Sequence, residues 1–450
     1  MFYSRILKIL NQAEKQSGTL QKVLGAAFAV AVTVGGTVGP GILRSPGFVA
    51  AQAASPAMML GLWALGGLYA LLGTMAMAEL CAILPEAGGL YVYAREAFGE
   101  AAGVTIGWSD LIATSAAAAS IAVTGADFAV ALWPGLAGEE VAFSVGAILF
   151  FALIQWQGIR ASGRAQEWTA VLQTGVLLFL IGCCIWLGGS KPAPAVISVP
   201  HEAGWTAFGG AFLALRYIIV DYDGWYSAVY FSEENSESGA GMARSMILGV
   251  VVIILTYLAV NASFLYVLPM PQLAASKLAA ADVAQHLLGP NGARFVTLIS
   301  LVMAVAVIHP MILMNSRLAF SMGRAGLMWH KIATVNDAGT PTYGLVLSTS
   351  LIIFFTVTGS FEKLSAVGSF MFVVNYASSF LALIVLRRRG ADLYRPFKAW
   401  GSPWTTMLVI AASVTYLIGV AQNDVQNSII AVAFLLLAYP VTFAARKLLP

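Results

Sequence analysis

Long apolar segments recur along the whole chain, separated by short stretches rich in charged residues, proline and glycine. A helix that crosses the hydrocarbon core of a bilayer needs about 20 consecutive apolar residues. Windows of that size predict about twelve spanning helices. Their predicted limits are 23–50, 57–84, 101–132, 141–159, 166–188, 206–231, 243–268, 292–320, 342–358, 364–386, 404–421 and 428–445. The pattern predicts an all-α integral membrane protein.

The composition of the 450 residues supports this prediction and excludes an ordinary soluble protein. Hydrophobic residues make up 59% of the chain and charged residues 10%, whereas soluble domains carry about 25% charged residues. The net charge of +3 is too small to indicate a nucleic-acid partner. All three cysteines, Cys81, Cys183 and Cys184, lie in apolar segments. We therefore expect no disulfide framework and no disulfide-linked ancillary subunit.

The distribution of basic residues predicts the orientation in the membrane. If the N-terminus is cytoplasmic and the spans alternate, eighteen of the 24 lysines and arginines lie on the cytoplasmic side. Arg44 and Arg216 lie within spans, and the outer side holds only Lys191, Lys277, Arg294 and Lys363. This asymmetry is what the positive-inside rule requires. We expect a multi-pass protein of the cell (inner) membrane with both termini cytoplasmic.

Two of the predicted spans are interrupted near their middle. Residues 35–41 of span 1 include four glycines and Pro40, and residues 221–224 of span 6 include Asp221, Asp223 and Gly224. Glycines alone also suit close helix packing. Irregular backbone and carboxylates at this depth, however, are tolerated where they line a cavity. Paired interruptions in corresponding spans of two inverted halves indicate the substrate site of a secondary transporter.

The interruptions divide the chain into repeats. Spans 1–5 and spans 6–10 form two five-span units, which run in opposite directions because each has an odd number of spans. The predicted segments are a cytoplasmic N-terminal segment at 1–22, a first repeat at 23–190, a second repeat at 205–390, and two C-terminal spans with a short cytoplasmic end at 403–450.

Short motifs along the chain resemble one transporter family. Residues 36–42 are similar to the glycine-rich first-span signature of the amino acid–polyamine–organocation (APC) transporters, although that signature usually has Ser or Ala where this chain has Pro40. The further motifs that resemble the family are residues 78–80 with 85–93, residues 222–225 with 232–234, and residues 316–326. The resemblance covers about residues 20–400. It implies the five-plus-five inverted-repeat fold of sodium-coupled amino acid symporters, with two extra C-terminal spans.

The two interruptions together predict a site for an α-amino acid. We expect the outer half of span 1 to begin near Gly41, so that free backbone N–H groups bind a carboxylate. We expect the outer half of span 6 to end near Val220, so that its carbonyl groups, with Asp221 or Asp223, bind an ammonium group. The predicted substrate-binding residues are Thr37, Val38, Gly39, Pro40, Gly41, Ile42, Val220, Asp221, Asp223 and Gly224.

Charged residues around the predicted site favour a zwitterionic substrate. Arg44 and Arg216 balance Asp221 and Asp223, so the group carries no net charge. A site for a dication would be expected to carry net negative charge. The alternative for both arginines is that they extend to the outer headgroups without contacting substrate.

Three other side chains are candidates for gating or coupling. Tyr222 and Trp225 either wall the cavity or pack against neighbouring helices or lipid. His309 stands in span 8 beside Pro310 and either contacts substrate or packs beside a proline kink. We expect packing for His309.

Position 173 bears on energy coupling. Residues 158–166 resemble the start of span 5 in the family, and many members carry a lysine seven residues after Gln166, where its ammonium takes the place of a sodium ion in related symporters. This chain has Gln173 there. A glutamine amide has no charge to gain or lose, so proton coupling, if present, is predicted not to run through span 5. Gln173 can still join span 1 to span 8 by hydrogen bonds, and its carbonyl oxygen can ligate sodium. Exchange and facilitated transport are therefore alternatives of equal standing to symport.

These observations predict a secondary active transporter that moves amino acids by alternating access, with zwitterionic L-amino acids as the predicted substrates. The alternatives are a cationic amino acid or polyamine exchanger of the same fold and, less favoured, a membrane nutrient sensor. An ion channel would need repeated filter segments. An enzyme would need a catalytic set at membrane depth, where His309 is the one histidine. We expect no enzyme, cofactor or metal, and a monomer or homodimer without an ancillary subunit.

Overall fold

A computed structural model describes residues 19–188, 205–390 and 394–448. Over these ranges the chain forms helices and two isolated bridges, one between Leu24 and Asn235 and one between Val335 and Pro341. The α-helices, in chain order, are α1 (Ala26–Thr37), α2 (Ser45–Gln52), α3 (Pro56–Ile83), α4 (Leu90–Phe98), α5 (Glu100–Leu132), α6 (Glu140–Trp156), α7 (Ile159–Gly188), α8 (Trp205–Tyr222), α9 (Gly239–Val267), α10 (Met270–Ala275), α11 (Ala279–Leu288), α12 (Pro290–Arg324), α13 (Thr342–Thr358), α14 (Phe361–Arg389), α15 (Trp404–Asn423) and α16 (Val425–Leu448).

The all-helical membrane architecture expected from the sequence is confirmed. Eight helices of the described residues are long and apolar enough to cross a membrane, and α1, α6 and α13 are shorter apolar helices. Every predicted span overlaps at least one helix, and most limits differ by only a few residues. The start of span 5 is the exception: α7 begins at Ile159, because Arg160 and Arg164 interrupt the apolar run without ending the helix. The count of twelve spans and the repeat boundaries stay predictions.

Three shorter helices, α4, α10 and α11, lie between the spans. In α4, Leu90, Tyr91 and Ala94 are buried, while the Arg95 guanidinium donates hydrogen bonds to Glu86 and to the Tyr91 hydroxyl, both at 2.9 Å. Such helices are amphipathic and shorter than the window that detects a membrane span. This is why the hydropathy pattern did not predict them.

Small side chains allow α5 and α12 to pack closely along much of their length. The buried face of α5 includes Ala118, Ala122 and Gly125. A Cβ atom at Gly125 would lie 3.5 Å from the Cβ of Ala304 on α12. Small residues permit helix backbones to approach each other in a membrane, where van der Waals packing drives association. The closely packed pair of helices α5 and α12 lies beside the two interrupted spans.

The break in span 1 is longer than expected. α1 ends at Thr37, Gly39 is extended, residues Pro40–Leu43 form a 3₁₀ turn, and α2 begins only at Ser45. Pro40 has no N–H to continue the α1 hydrogen bonds, and Pro46 suits the first turn of α2. The expectation that the outer half-helix begins near Gly41 is therefore wrong by about one turn: Gly41 lies in the 3₁₀ turn.

The break in span 6 comes slightly later than expected. α8 continues to Tyr222 rather than ending near Val220. The chain then turns through Gly224, whose φ of +100° favours glycine, and enters a 3₁₀ helix at Ser227–Phe231. Val220 and Asp221 therefore remain helical.

Candidate functional site

A cavity of about 300 Å³ lies where the two interrupted spans meet. Nine of the ten predicted substrate-binding residues line it: Thr37, Gly39, Pro40, Gly41, Ile42, Val220, Asp221, Asp223 and Gly224. Val38 does not line the cavity. It is buried, and its carbonyl oxygen accepts a hydrogen bond from the Gln173 Nε2 atom at 2.9 Å.

Glycine is required where the two breaks touch. A Cβ atom at Gly224 would lie 2.2 Å from the carbonyl oxygen of Gly36. A Cβ atom at Gly36 would lie 2.5 Å from the Oγ atom of Ser227. A side chain at either position would push span 1 and span 6 apart. The site therefore depends on Gly36, which was part of the first-span motif but not of the predicted binding set.

A tyrosine from α9 bridges the ends of the two broken helices. The hydroxyl of Tyr257 lies 3.1 Å from the carbonyl oxygen of Thr37 and 3.0 Å from that of Asp221. Carbonyl groups in the last turn of a helix lack intrahelical donors, so this hydroxyl satisfies groups that the breaks would leave unpaired. The sequence offered one signal for Tyr257, a polar group in the middle of span 7.

The two aspartates of span 6 have different surroundings. Asp221 is buried, and a Cβ atom at Gly41 would lie 2.1 Å from its Oδ1 atom, so this carboxyl group packs directly on the span 1 break. Asp223 is half-buried at the cavity surface, and its Oδ1 atom accepts a hydrogen bond from the Tyr376 hydroxyl. Among the described lining residues these two are the only ones with charged side chains. Asp223 is the more accessible of the two.

The opposite wall of the cavity is contributed by α5, α12 and α14. Most of these lining side chains are apolar, and the polar ones carry hydroxyl groups. The apolar residues are Ala117, Ile121, Val307, Met311, Met314, Phe372 and Val373, and the hydroxyl-bearing residues are Thr114, Ser120, Ser369 and Tyr376. Sequence reasoning missed this wall. Its residues lie in ordinary apolar spans, and no local pattern tells which face of such a helix points inward.

The structure does not place the two candidate arginines in the cavity wall. Arg44 is exposed, and its guanidinium lies over the ring of Phe48 at 5.2 Å. Arg216 is half-buried on α8. The ion pairs of the described residues include neither arginine. The charge balance expected between these arginines and the two aspartates is therefore not present at the site, because the arginines do not line the cavity.

The two candidate gating aromatics are buried behind the cavity. The Tyr222 hydroxyl donates to the carbonyl oxygen of Trp63 at 3.3 Å. Trp225 packs between Tyr376 and Phe380, with ring centroids 5.5 and 6.3 Å away. Neither Tyr222 nor Trp225 lines the cavity. Their location corresponds to the packing alternative.

Gln173 and His309 hold helices together next to the site. The Gln173 amide donates to Val38 and, at 3.5 Å, to the carbonyl oxygen of Gly35. Both of these hydrogen bonds go to span 1, so the expected link to span 8 is not among them. His309 lies between Gln155 and the carbonyl oxygen of Ser162, with its ring nitrogens 3.2 and 3.0 Å from them. Its ring joins α6, α7 and α12 and does not line the cavity.

A layer of ion pairs lies at one end of the bundle, which we call the charged end. Arg317 and Glu234 are fully buried there and form two hydrogen bonds of 2.9 and 3.1 Å. Glu234 and Ser236 also join the N-terminal end of span 1, because Leu24 N–H donates to Glu234 at 3.0 Å and Ser236 N–H to Leu24 at 2.8 Å. The remaining ion pairs of this layer are Glu79–Arg387, Glu79–Arg395, Glu86–Arg95 and Glu233–Arg324.

Comparison with known proteins identifies the family. Residues 24–439 match the amino acid permease family. The chain is 25% identical to the serine/threonine exchanger SteT of Bacillus subtilis (strain 168), over 95% of this chain and 98% of that protein. It is 25% identical to the b(0,+)-type amino acid transporter 1 of Mus musculus, over 87% of this chain and 81% of that protein. It is 26% identical to the Asc-type amino acid transporter 1 of Mus musculus, over 84% of this chain and 73% of that protein.

These relatives are transporters, which confirms the resemblance to the APC superfamily and the multi-pass membrane character. They also confirm the expected function class, amino acid transport, while leaving neutral and cationic substrates open. The chain belongs to the amino acid permease family.

Proposed function

We propose that this permease carries neutral L-amino acids by alternating access, with the substrate held between the two interrupted spans. The single observation that supports this most is the cavity itself. It brings an open backbone turn of span 1, a carboxylate of span 6 and an apolar wall into contact with one ligand-sized space.

The α-amino and α-carboxyl groups of the substrate would bind at the breaks. Asp223 is the proposed partner of the ammonium group, since it is the more accessible carboxylate and its other neighbour is the neutral Tyr376 hydroxyl. The substrate carboxylate would approach the backbone at Gly39, where a Cβ atom would have nothing closer than Val307 at 3.7 Å. Asp221 would act mainly in joining span 6 to Gly41 of span 1.

The apolar wall supports a neutral side chain. Met311, Met314 and Phe372 offer hydrocarbon and sulfur surface, and Thr114 and Ser120 add hydroxyl groups. Placing an ammonium or guanidinium group against such a wall would remove it from water without a charged partner, which costs several kcal/mol. Apolar or hydroxyl-bearing side chains fit this wall without that cost.

Alternating access would require the charged end to open. We propose that the buried Glu234–Arg317 pair and the backbone bonds to Leu24 close the route from the cavity in that direction. On the other side, Val220 lines the cavity and is 54% exposed. We propose that the charged end faces the cytoplasm, in agreement with the distribution of basic residues, and that this conformation is open to the outside of the inner membrane.

A transporter without a disulfide-linked ancillary subunit is also part of this proposal. Cys81 and Cys184 are buried and Cys183 is half-buried, all within helices. A single chain, alone or as a homodimer, is the assembly we propose. No enzymatic activity is included in the proposal.

A cationic amino acid exchanger is the second candidate. One observation favours it: Asp221 and Asp223 line the cavity without an arginine beside them, which leaves the wall with negative charge. If both carboxylates bind cationic groups, a substrate with two positive charges would be preferred to a zwitterion.

Uptake by proteoliposomes tests the proposal. Purified protein would be reconstituted with unlabelled amino acid inside, and radiolabelled serine, alanine, leucine, lysine and arginine would be offered outside. We expect accumulation of the neutral amino acids. Accumulation of lysine and arginine alone would favour the second candidate, and absence of uptake of every amino acid, with and without an ion gradient, would contradict the proposed transport.

A further inference from the structure

A second cavity, of about 240 Å³, lies between α3, α8 and α15. We call it the acyl groove. Its wall is almost entirely apolar and includes Leu65 and Leu68 of α3, Phe212 of α8, and Leu408 and Ala412 of α15. It is separate from the substrate cavity, and the comparisons with transporters do not account for it.

Two of the three hydroxyl-bearing residues at the acyl groove, Tyr69 and Thr415, already have hydrogen-bond partners. The Tyr69 hydroxyl is hydrogen-bonded to the Ser413 hydroxyl at 2.9 Å. The Thr415 hydroxyl donates to the carbonyl oxygen of Ala411 at 2.9 Å. A ligand with hydrogen-bonding groups of its own would lose its contacts with water against an almost entirely apolar wall. The groove therefore suits a hydrocarbon chain.

The acyl groove opens where a bilayer has its hydrocarbon core. Leu65, Leu68 and Leu408 are 50%, 45% and 58% exposed, on two helices that are long and apolar enough to span a membrane. At a rise of about 1.5 Å per residue, Leu65 lies about 14 Å from the start of α3. This depth places the opening among lipid acyl chains rather than in water or among headgroups.

Two glycines shape the acyl groove. A Cβ atom at Gly66 of α3 would lie 2.3 Å from Cγ2 of Ile218, and a Cβ atom at Gly419 of α15 would lie 1.9 Å from Cζ of Phe212. Both glycines let α8 approach its neighbours closely. The space that remains between the three helices is a bounded groove and not a gap between loosely packed helices.

Two side chains separate the acyl groove from the substrate cavity. Ile219 and Tyr416 line both spaces. A molecule in the groove would therefore contact the back of a wall that the substrate contacts on the front.

We propose that the acyl groove binds one acyl chain of a membrane phospholipid, and that this chain supports Ile219 and Tyr416 in the wall of the substrate cavity. A phospholipid acyl chain is the proposed occupant because the groove is continuous with the bilayer-facing surface and its wall is almost entirely apolar. The effect on transport rests on the proposed function. The binding of the acyl chain does not.

Photolabelling in proteoliposomes tests the binding. The protein would be reconstituted with a phosphatidylcholine that carries a diazirine in the middle of one acyl chain, irradiated, and digested to map the labelled peptides. In the wild type we expect labelling of the groove-lining segments of α3 and α15. In Ala412→Trp, which fills the groove, we expect loss of that labelling while the exposed face of α7 stays labelled.

Ala411→Trp is the matched control, because Ala411 is exposed one residue away and does not line the groove. Labelling of the groove that survives in Ala412→Trp would overturn the proposal. Thr415→Trp, which fills the groove from the next turn, replaces Ala412→Trp if that variant does not insert.

Uptake by the same variants tests the effect on the substrate wall. We expect Ala412→Trp to change the KM of uptake, and Ala411→Trp to leave it at the wild-type value. If Ala412→Trp loses the labelling but keeps the wild-type KM, the proposal that the acyl chain supports Ile219 and Tyr416 is overturned. If the wild type transports no amino acid, the labelling still decides whether the groove holds an acyl chain, so failure of the proposed function is distinguishable.

Discussion

Carboxylates at the charged end and carboxylates at the substrate cavity have different partners. Glu233 and Glu234 each form two hydrogen bonds with an arginine. Asp221 and Asp223 lie beside backbone and tyrosine hydroxyl groups, without an arginine. A buried carboxylate that already has its counter-charge holds two segments together. A carboxylate that lacks one is available to a positively charged ligand.

The arginines differ in the same way. Arg317 is 1% exposed and is enclosed by its partner Glu234. Arg44 is exposed and stacks on Phe48. Full burial makes an ion pair costly to break, so the charged end is suited to a closed state that opens only when several contacts change together.

The largest effect is expected from removing one member of the buried ion pair. Glu234→Gln leaves the Arg317 guanidinium buried without a counter-charge, which costs about 3–5 kcal/mol. We expect a marked fall in the thermal unfolding temperature of the purified protein in detergent. Glu86→Gln is the control, because Glu86 is 41% exposed in its pair with Arg95 and such pairs contribute about 0–1 kcal/mol. Equal shifts for both variants would contradict the distinction between buried and exposed pairs.

A side chain at Gly41 is expected to have the next largest effect. In Gly41→Val the new Cβ atom would lie 2.1 Å from Asp221 Oδ1, so the Asp221 carboxyl group must move away from the span 1 break. We expect substrate affinity to fall roughly a hundredfold, which is about 2.8 kcal/mol, while the protein still inserts in the membrane. Gly61→Val is the control, since a Cβ atom at Gly61 of α3 would have nothing within 4 Å and Gly61 does not line the cavity. Normal substrate binding by a Gly41→Val protein that is inserted in the membrane would contradict the placement of the substrate site at the break in span 1.

Neutralising a cavity carboxylate is expected to have a smaller effect. Asp223→Asn keeps the shape of the side chain and removes the charge proposed to bind the substrate ammonium. We expect the affinity of the purified protein for its substrate to fall roughly tenfold, which corresponds to about 1.4 kcal/mol. Asp127→Asn, on the exposed part of α5, serves as the reference. If both variants bind substrate equally well, Asp223 has only a structural role, and a larger effect of Asp221→Asn would transfer the binding role to Asp221.

The smallest effect is expected at Gln173. Gln173→Ala removes the hydrogen bond to Val38 and leaves that carbonyl group without its donor, which costs about 1 kcal/mol. Uptake by proteoliposomes with and without a pH gradient would be compared for the wild type, Gln173→Ala and Gln173→Lys. We expect any proton-driven uptake to survive in Gln173→Ala. If proton-driven uptake disappears in Gln173→Ala while substrate binding is unchanged, proton coupling runs through position 173.

The sequence alone determined the membrane class, the approximate positions of the long apolar helices and the approximate positions of the two breaks. Each of these depends on local properties: about 20 apolar residues in a row, the missing N–H of Pro40, and the freedom of Gly224 to adopt a positive φ. Local properties are present in the sequence whatever the rest of the chain does. For this reason nine of the ten residues predicted at the breaks line the cavity.

Only the tertiary structure decided which other side chains face that cavity. Tyr257 and Tyr376 reach it from distant helices, whereas Arg44, close to the break in sequence, extends away from it. The low contrast between the faces of an apolar membrane helix carries no signal for the side that points inward. That choice follows from how closely the neighbouring helices pack. At this site glycines allow the close approach, with Gly36 against Ser227 and Gly41 against Asp221.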